Sequence, residues 1–149
     1  MTLRSSQLTL VSVNTIEQQL AHRATVLSVV DDYLRALAAS DVETIMSLYH
    51  VDATLEDPMG SEVLVGRAAI NEFYSVAREV KRVERLGPIT VMGGLAGFQF
   101  SIELLREGEL LRVAITELLT IDADGQITSM RALPDFEAFD ARPWGRTFP

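Results

Sequence analysis

The sequence contains no cysteine, which excludes a disulfide scaffold, a thiolate nucleophile and a cysteine-ligated zinc site. Lysine is almost missing as well; Lys81 is the single one, and arginine supplies the other cations. Basic residues number 13 against 21 acids, for a net charge of −8. So acidic a chain, with no basic block, is a poor electrostatic match to nucleic acid or an anionic membrane. No apolar run approaches the roughly 20 residues that cross a bilayer. Residues 8–13 are too short and too interrupted by polar side chains for a signal peptide. A soluble, cytoplasmic protein is the expectation. Nor is there a glycine-rich phosphate loop, a G-x-S-x-G elbow or an H-E-x-x-H helix. The two histidines, His22 and His50, stand far apart in the chain. His22 falls off the apolar stripe and reads as exposed. His50 reads as the end of a second helix, where a cation suits the dipole. A metal site would need carboxylates alone, so neither metal nor cofactor is expected.

What remains is an ordinary globular composition. The 149 residues, 48% apolar and 23% charged, fit one domain. Residues 1–14 show no clear periodicity and are set aside as an N-terminal arm of unassigned role; residues 15–149 read as a single domain. Thr15 and Gln18 have the spacing of a capping box. Ile16, Leu20, Val26, Leu27, Val30, Tyr33, Leu34 and Leu37 then recur at helical intervals. Ser40 or Asp41 would cap a short second helix carrying Val42, Ile45, Met46 and Tyr49. Residues 53–56 read as a strand stopped by Asp57-Pro58, with residues 63–65 returning as a hairpin. A third helix starts at Gly66-Arg67 and turns Ile70, Phe73, Tyr74 and Ala77 inward. From Arg85 onward strands take over, at residues 89–92, 96–105, 110–121 and 126–133. The tail carries Phe136, Phe139, Trp144 and Phe148, which are expected to pack on the body or on a partner chain. Helices followed by a run of strands argue an α+β fold, three helices laid on a curved, mainly antiparallel sheet. Such a sheet makes a cone with an apolar interior and one mouth.

Proton chemistry in such a cone falls to carboxylates and tyrosines. By strand alternation Ala53, Leu55 and Asp57 share a face. Pattern alone favours Asp57 as a plain turn starter before Pro58; an inward carboxylate is the other reading. Glu117 shares a face with Val113, Ile115 and Leu119, and that face is less polar than the one bearing Arg112 and Thr116. Glu117 therefore reads as inward, buried and neutral. The three tyrosines, Tyr33, Tyr49 and Tyr74, each read as lying on the apolar stripe of a different helix. They are either three core aromatics or three hydroxyls converging on one pocket.

The runs Tyr33-Leu34-Arg35-Ala36-Leu37, Glu56-Asp57-Pro58-Met59-Gly60-Ser61, Gly66-Arg67-Ala68-Ala69-Ile70-Asn71-Glu72-Phe73-Tyr74 and Ser129-Met130-Arg131-Ala132-Leu133 together resemble the ketosteroid isomerase family. That family belongs to the nuclear-transport-factor-2-like (SnoaL-like, cystatin-like) cones. The resemblance spans about residues 20–135 and implies a cofactor-free homodimer that isomerises a small hydrophobic substrate, a 3-oxo-Δ5-steroid. It assigns Asp57 as general base, Tyr33 as oxyanion-hole donor, and Tyr74 and Tyr49 as supports of that hydroxyl. Glu117 falls where the family usually has aspartic acid, the second oxyanion donor. The departure adds one methylene and shifts the carboxyl by about an ångström. Leu133-Pro134 stands where some members place a tryptophan. Rival readings are an epoxide hydrolase, polyketide cyclase or dehydratase on the same cone, or a non-catalytic binder of steroids or other lipophiles. Arg112, facing away from Glu117 by alternation, argues against the Asp-Arg-Asp arrangement of the hydrolases.

Overall fold

The computed structural model describes residues 5–76 and 79–136, with side chains from residue 16. Helix α1 spans Ser5–Ala38. It runs through Thr15, so the start expected there is wrong, and residues 5–14 are helical. The physical reason is that no glycine or proline interrupts residues 5–38, so nothing breaks the hydrogen-bond ladder. The first part of the expected stripe is also corrected: Ile16 and Leu20 are 53% and 59% exposed. Only from Val26 does α1 enter the core, through Val26, Val29, Val30, Tyr33, Leu34 and Leu37.

Asp41 caps α2 (Val42–Leu48), its carboxylate accepting from the Thr44 N–H at 3.1 Å and the Thr44 hydroxyl at 2.6 Å. Tyr49 is not helical. It is the extended residue that opens β1 (Tyr49–Glu56), and His50 follows it into the strand. His22 is half-buried beside Gly94, not exposed. A two-residue β2 (Leu64–Val65) returns antiparallel to β1. Gly66, at φ 87°, in the left-handed region that suits glycine, then leads into α3 (Arg67–Ser75).

Strand β3 (Glu79–Arg85) was not foreseen. Its sequence Glu-Val-Lys-Arg-Val-Glu-Arg looks like a solvated charge run. It is an edge strand on β5, and a register shift between Val80 and Arg82 puts Val80 and Val83 on the packed side instead of a strict alternation. β4 (Thr90–Met92), β5 (Leu95–Arg106), β6 (Glu109–Ile121) and β7 (Ile127–Asp135) complete one sheet. Its order is β2-β1-β7-β6-β5-β3, with β4 also on β5. All pairs are antiparallel except β1 with β7. Irregular register in the β1–β7, β3–β5 and β6–β7 ladders goes with a sheet that curls without closing.

The architecture is α+β: three helices on a mixed, curled, unclosed sheet. The core fills the concave side, where α1 meets β3, β4 and β5 and α3 meets β1. Arg67 pins the far end of this helical layer. Its guanidinium donates to the carbonyls of Met46 (2.8 Å) and Tyr49 (3.0 Å), satisfying acceptors where α2 gives way to β1. Among the described residues, no helix is long and apolar enough to cross a membrane. Residues Ala77, Phe139, Trp144 and Phe148 lie outside the described residues; Phe136, the one tail aromatic within them, sits at the end of β7.

Candidate active site

β1 aims Asp57 inward. Ala53 and Leu55 are buried, and Asp57 continues their face just past the strand end, half-buried. The chain then turns sharply. The Asp57–Pro58 peptide is cis, and Gly60 has φ 92°. Ser61 donates through both its N–H (3.0 Å) and its hydroxyl (2.7 Å) to the Pro58 carbonyl. Asp57 is thus a turn residue and an inward carboxylate at once, so its two sequence readings do not exclude each other.

Asp57 stands on the wall of a cavity of about 360 Å³, a volume within the usual range for small-molecule sites. The rest of the wall is nearly all apolar. Ile102 and Leu104 come from β5, Leu111, Val113 and Ile115 from β6, Phe73 and Val76 from α3 and its end. Pro134 and Phe136 close the β7 side. Arg106, at the tip of the β5–β6 hairpin, is the one cation among the described residues of this lining.

Glu117 occupies the next inward position on β6 beyond Ile115. It is 2% exposed, so the expected inward orientation is what the fold gives it. Burial pushes its carboxyl up to about 8. A hydrogen bond with Tyr33 pulls the other way, and the negative charge of Asp57 adds a further rise. Glu117 Oε1 has no hydrogen-bond partner among the described residues.

The three tyrosines meet beside it. Tyr49 and Tyr74 hydroxyls lie 2.7 Å apart, and those of Tyr74 and Tyr33 lie 3.2 Å apart. All three are buried and their phenols pushed well up, first by burial. Tyr33 also pairs with Glu117, so the three hydroxyls and the carboxyl form one hydrogen-bonded chain, Tyr49–Tyr74–Tyr33–Glu117. Such a chain polarises the last hydroxyl. Two strand residues and two helix residues build it: Tyr49 and Glu117 on β1 and β6, Tyr33 and Tyr74 on α1 and α3.

Asp57 and Glu117 are close enough to interact electrostatically, yet of Asp57, Glu117 and Tyr33 only Asp57 lines the cavity. Tyr33 and Glu117 are buried and outside the lining, so a ligand that reaches them must move side chains aside. Phe73 spans this boundary. It lines the cavity and packs edge-on against Tyr74, ring centroids 5.1 Å apart at 86°. Sequence reading had Phe73 inward. It had no signal for Arg67 as the brace beneath Tyr49, because that contact joins residues distant in the chain. Among the described residues, no cluster of His, Asp or Glu could hold a metal ion.

On the outer face Arg112 lies 3.8 Å from Glu103, its register partner on β5. It is therefore turned away from Glu117.

A fold comparison finds the epoxide hydrolase/cyclase-like enzyme SalBIII, described for pyran ring formation in the polyether salinomycin. The TM-score is 0.68 over 76% of this chain and 92% of that one, at 23% identity, which speaks to fold alone. Sequence comparison finds the steroid Delta-isomerase of Nocardioides simplex, 41% identical over 109 residues, 73% of this chain and 89% of that protein. The SnoaL-like domain model matches residues 30–130. That match takes in Tyr33, Tyr49, Asp57, Tyr74 and Glu117, and with it the chain belongs to the SnoaL-like family, as a relative of a steroid Delta-isomerase.

Proposed function

We propose that this protein isomerises 3-oxo-Δ5-steroids to 3-oxo-Δ4-steroids by intramolecular proton transfer. The supporting observation is a pair of carboxyl groups in opposite settings: Asp57 on the wall of an apolar cavity, and Glu117 buried outside its lining with its carboxyl raised to about 8. The same division of labour, a carboxylate base and a second acid kept neutral to donate a hydrogen bond, is how ketosteroid isomerases work.

The substrate enters the cavity ketone first. Asp57 takes the proton from the carbon between ketone and alkene, and the electron pair moves through the carbonyl to its oxygen. Tyr33 and protonated Glu117 donate to that dienolate oxygen. Asp57 then gives its proton to the far alkene carbon, the carbonyl re-forms, and the conjugated enone leaves. No proton is gained or lost overall. A well-placed general base contributes roughly 10²–10⁴-fold. One oxyanion donor contributes about 2.7–4 kcal/mol. Tyr49 and Tyr74 orient the Tyr33 hydroxyl, and the apolar wall strengthens each of these interactions by excluding water.

The test is Asp57→Asn, assayed by the growth of enone absorbance from a Δ5-3-ketosteroid. Turnover should fall by at least about 10²-fold with steroid binding kept. Turnover at the wild-type rate would refute the assignment, and binding without turnover by the wild-type protein would mark it as a steroid binder.

A further inference from the structure

The turn that carries Asp57 is fastened from the face of the sheet opposite the cavity. Glu56 precedes Asp57, so its side chain leaves β1 on the other side. There its two oxygens hold different partners. Oε1 accepts from the Gly60 N–H at 2.7 Å. Oε2 accepts from the Arg131 Nε–H at 2.9 Å. Arg131 is directly across from Glu56 in the parallel β1–β7 ladder. The next residue of β7, Ala132, gives its carbonyl to the Met59 N–H at 2.7 Å. Met59 and Gly60 are therefore both tied to one place on the sheet, and Asp57 is held between that anchor and the end of β1.

We infer that Glu56 and Arg131 form a clamp that fixes Asp57 in the cavity, and that both are positioning residues for its proton transfer. The kinetic consequence rests on the proposed isomerase reading; the geometry does not. A base that lifts a proton from one carbon and delivers it to another must stay aligned with both. A displacement of about 1 Å can cost on the order of 10²-fold in rate. Without Glu56 the Gly60 N–H loses its acceptor and Arg131 loses its anion, so the turn loses two of the three bonds from Glu56 and Met59 that fasten it to β1 and β7. Bonds with a charged partner are roughly twice as strong as neutral ones, so the carboxylate is the strong point of the anchor. The Gly60 amide and Arg131 accordingly hold Glu56 below the usual carboxylate range. Arg131 is exposed, between inward-facing Met130 and Ala132, so the clamp sits on the far side of β7 from Glu117 and Tyr33.

The experiment compares wild type with Glu56→Ala, Glu56→Gln and Arg131→Gln. It measures kcat and KM on a Δ5-3-ketosteroid, affinity for a phenol that mimics the dienolate, and amide hydrogen exchange at Met59 and Gly60. In Glu56→Ala, kcat should fall about 10- to 100-fold while KM and phenol affinity stay within about 3-fold. Exchange at Met59 and Gly60 should quicken. Glu56→Gln keeps an oxygen for Gly60 but not the anion for Arg131, and should recover only part of the lost rate. Unchanged kcat and exchange in Glu56→Ala would overturn the inference. So would parallel losses of kcat and phenol affinity, which mark general damage. Should Glu56→Ala fail to fold, Arg131→Gln is read by the same criteria, since it removes only the exposed arm. If the wild-type protein does not isomerise the steroid, the isomerase reading fails. Exchange then decides the clamp alone: quickened in the variants it stands, unchanged it falls.

Discussion

Replacing Glu117 by glutamine should change how stability depends on pH more than it changes the fold. The side chain is buried, and its carboxyl is raised from an ordinary 4.5 to about 8. Between those values the folded protein holds a proton that the unfolded chain has released. A group raised in this way contributes its stability in full below the unfolded value and loses it as pH climbs toward the folded one. The slope is about −1.4 kcal/mol per pH unit within the window. Integrated from about pH 5 to about pH 8, wild type should lose roughly 3–4 kcal/mol on account of this group. Glutamine has the same shape and no such proton, so the variant should lose none of it. Asp41 and Glu56 act with the opposite sign, since their hydrogen bonds lower them. Their contribution is lost in acid, below the window, and is common to both proteins. The assay is urea unfolding of wild type and Glu117→Gln at a series of pH values. The stability difference should move in favour of the variant by roughly 3–4 kcal/mol across the range. Two parallel curves would refute the reasoning, because they would mean that Glu117 is already ionised or solvated in the folded protein.

Two further outcomes follow from the same geometry. The alkaline limb of kcat/KM on a Δ5-3-ketosteroid should fall near the raised Glu117 value of about 8, since an ionised Glu117 cannot donate to a dienolate. In Glu117→Gln that limb should disappear; its persistence would assign it to another group. Gly94→Ala should destabilise the protein by about 1–3 kcal/mol, read by urea unfolding. A Cβ there would stand 2.5 Å from the Ile121 carbonyl oxygen and 3.1 Å from His22 Nε2, where the turn before β5 closes on the end of β6. Wild-type stability in that variant would show that the turn can move away.

Alternation along β6 was enough to place Glu117 inward, because a strand has only two faces and one was clearly more apolar. Helical spacing likewise brought Val26, Val30 and Tyr33 to one side of α1, and Gly66 announced the start of α3. Local chemistry also set the Asp41 cap. At two places where periodicity failed, the cause was a contact distant in the chain. Glu79–Arg85 is charged at most positions and becomes a strand because β5 offers it a free edge. Tyr49 has the spacing of a helical residue, yet Arg67 and the β7 ladder draw it into β1. Ile16 and Leu20 continue the apolar stripe beside Val91 and Met92 yet stay more than half exposed.

The candidate site divides in the same way. The sequence by itself determined the cast: a carboxylate ending one strand, a second acid on an aliphatic face, three tyrosines, and a family likeness that joined them. Only the tertiary structure decided their states. Bringing α1, α3, β1 and β6 together removes water from Glu117 and raises its carboxyl, links the three hydroxyls in one chain, and leaves Asp57 on the cavity wall. Whether a carboxyl is acid or base depends on the water and charges around it, and those come from residues that are neighbours only after folding.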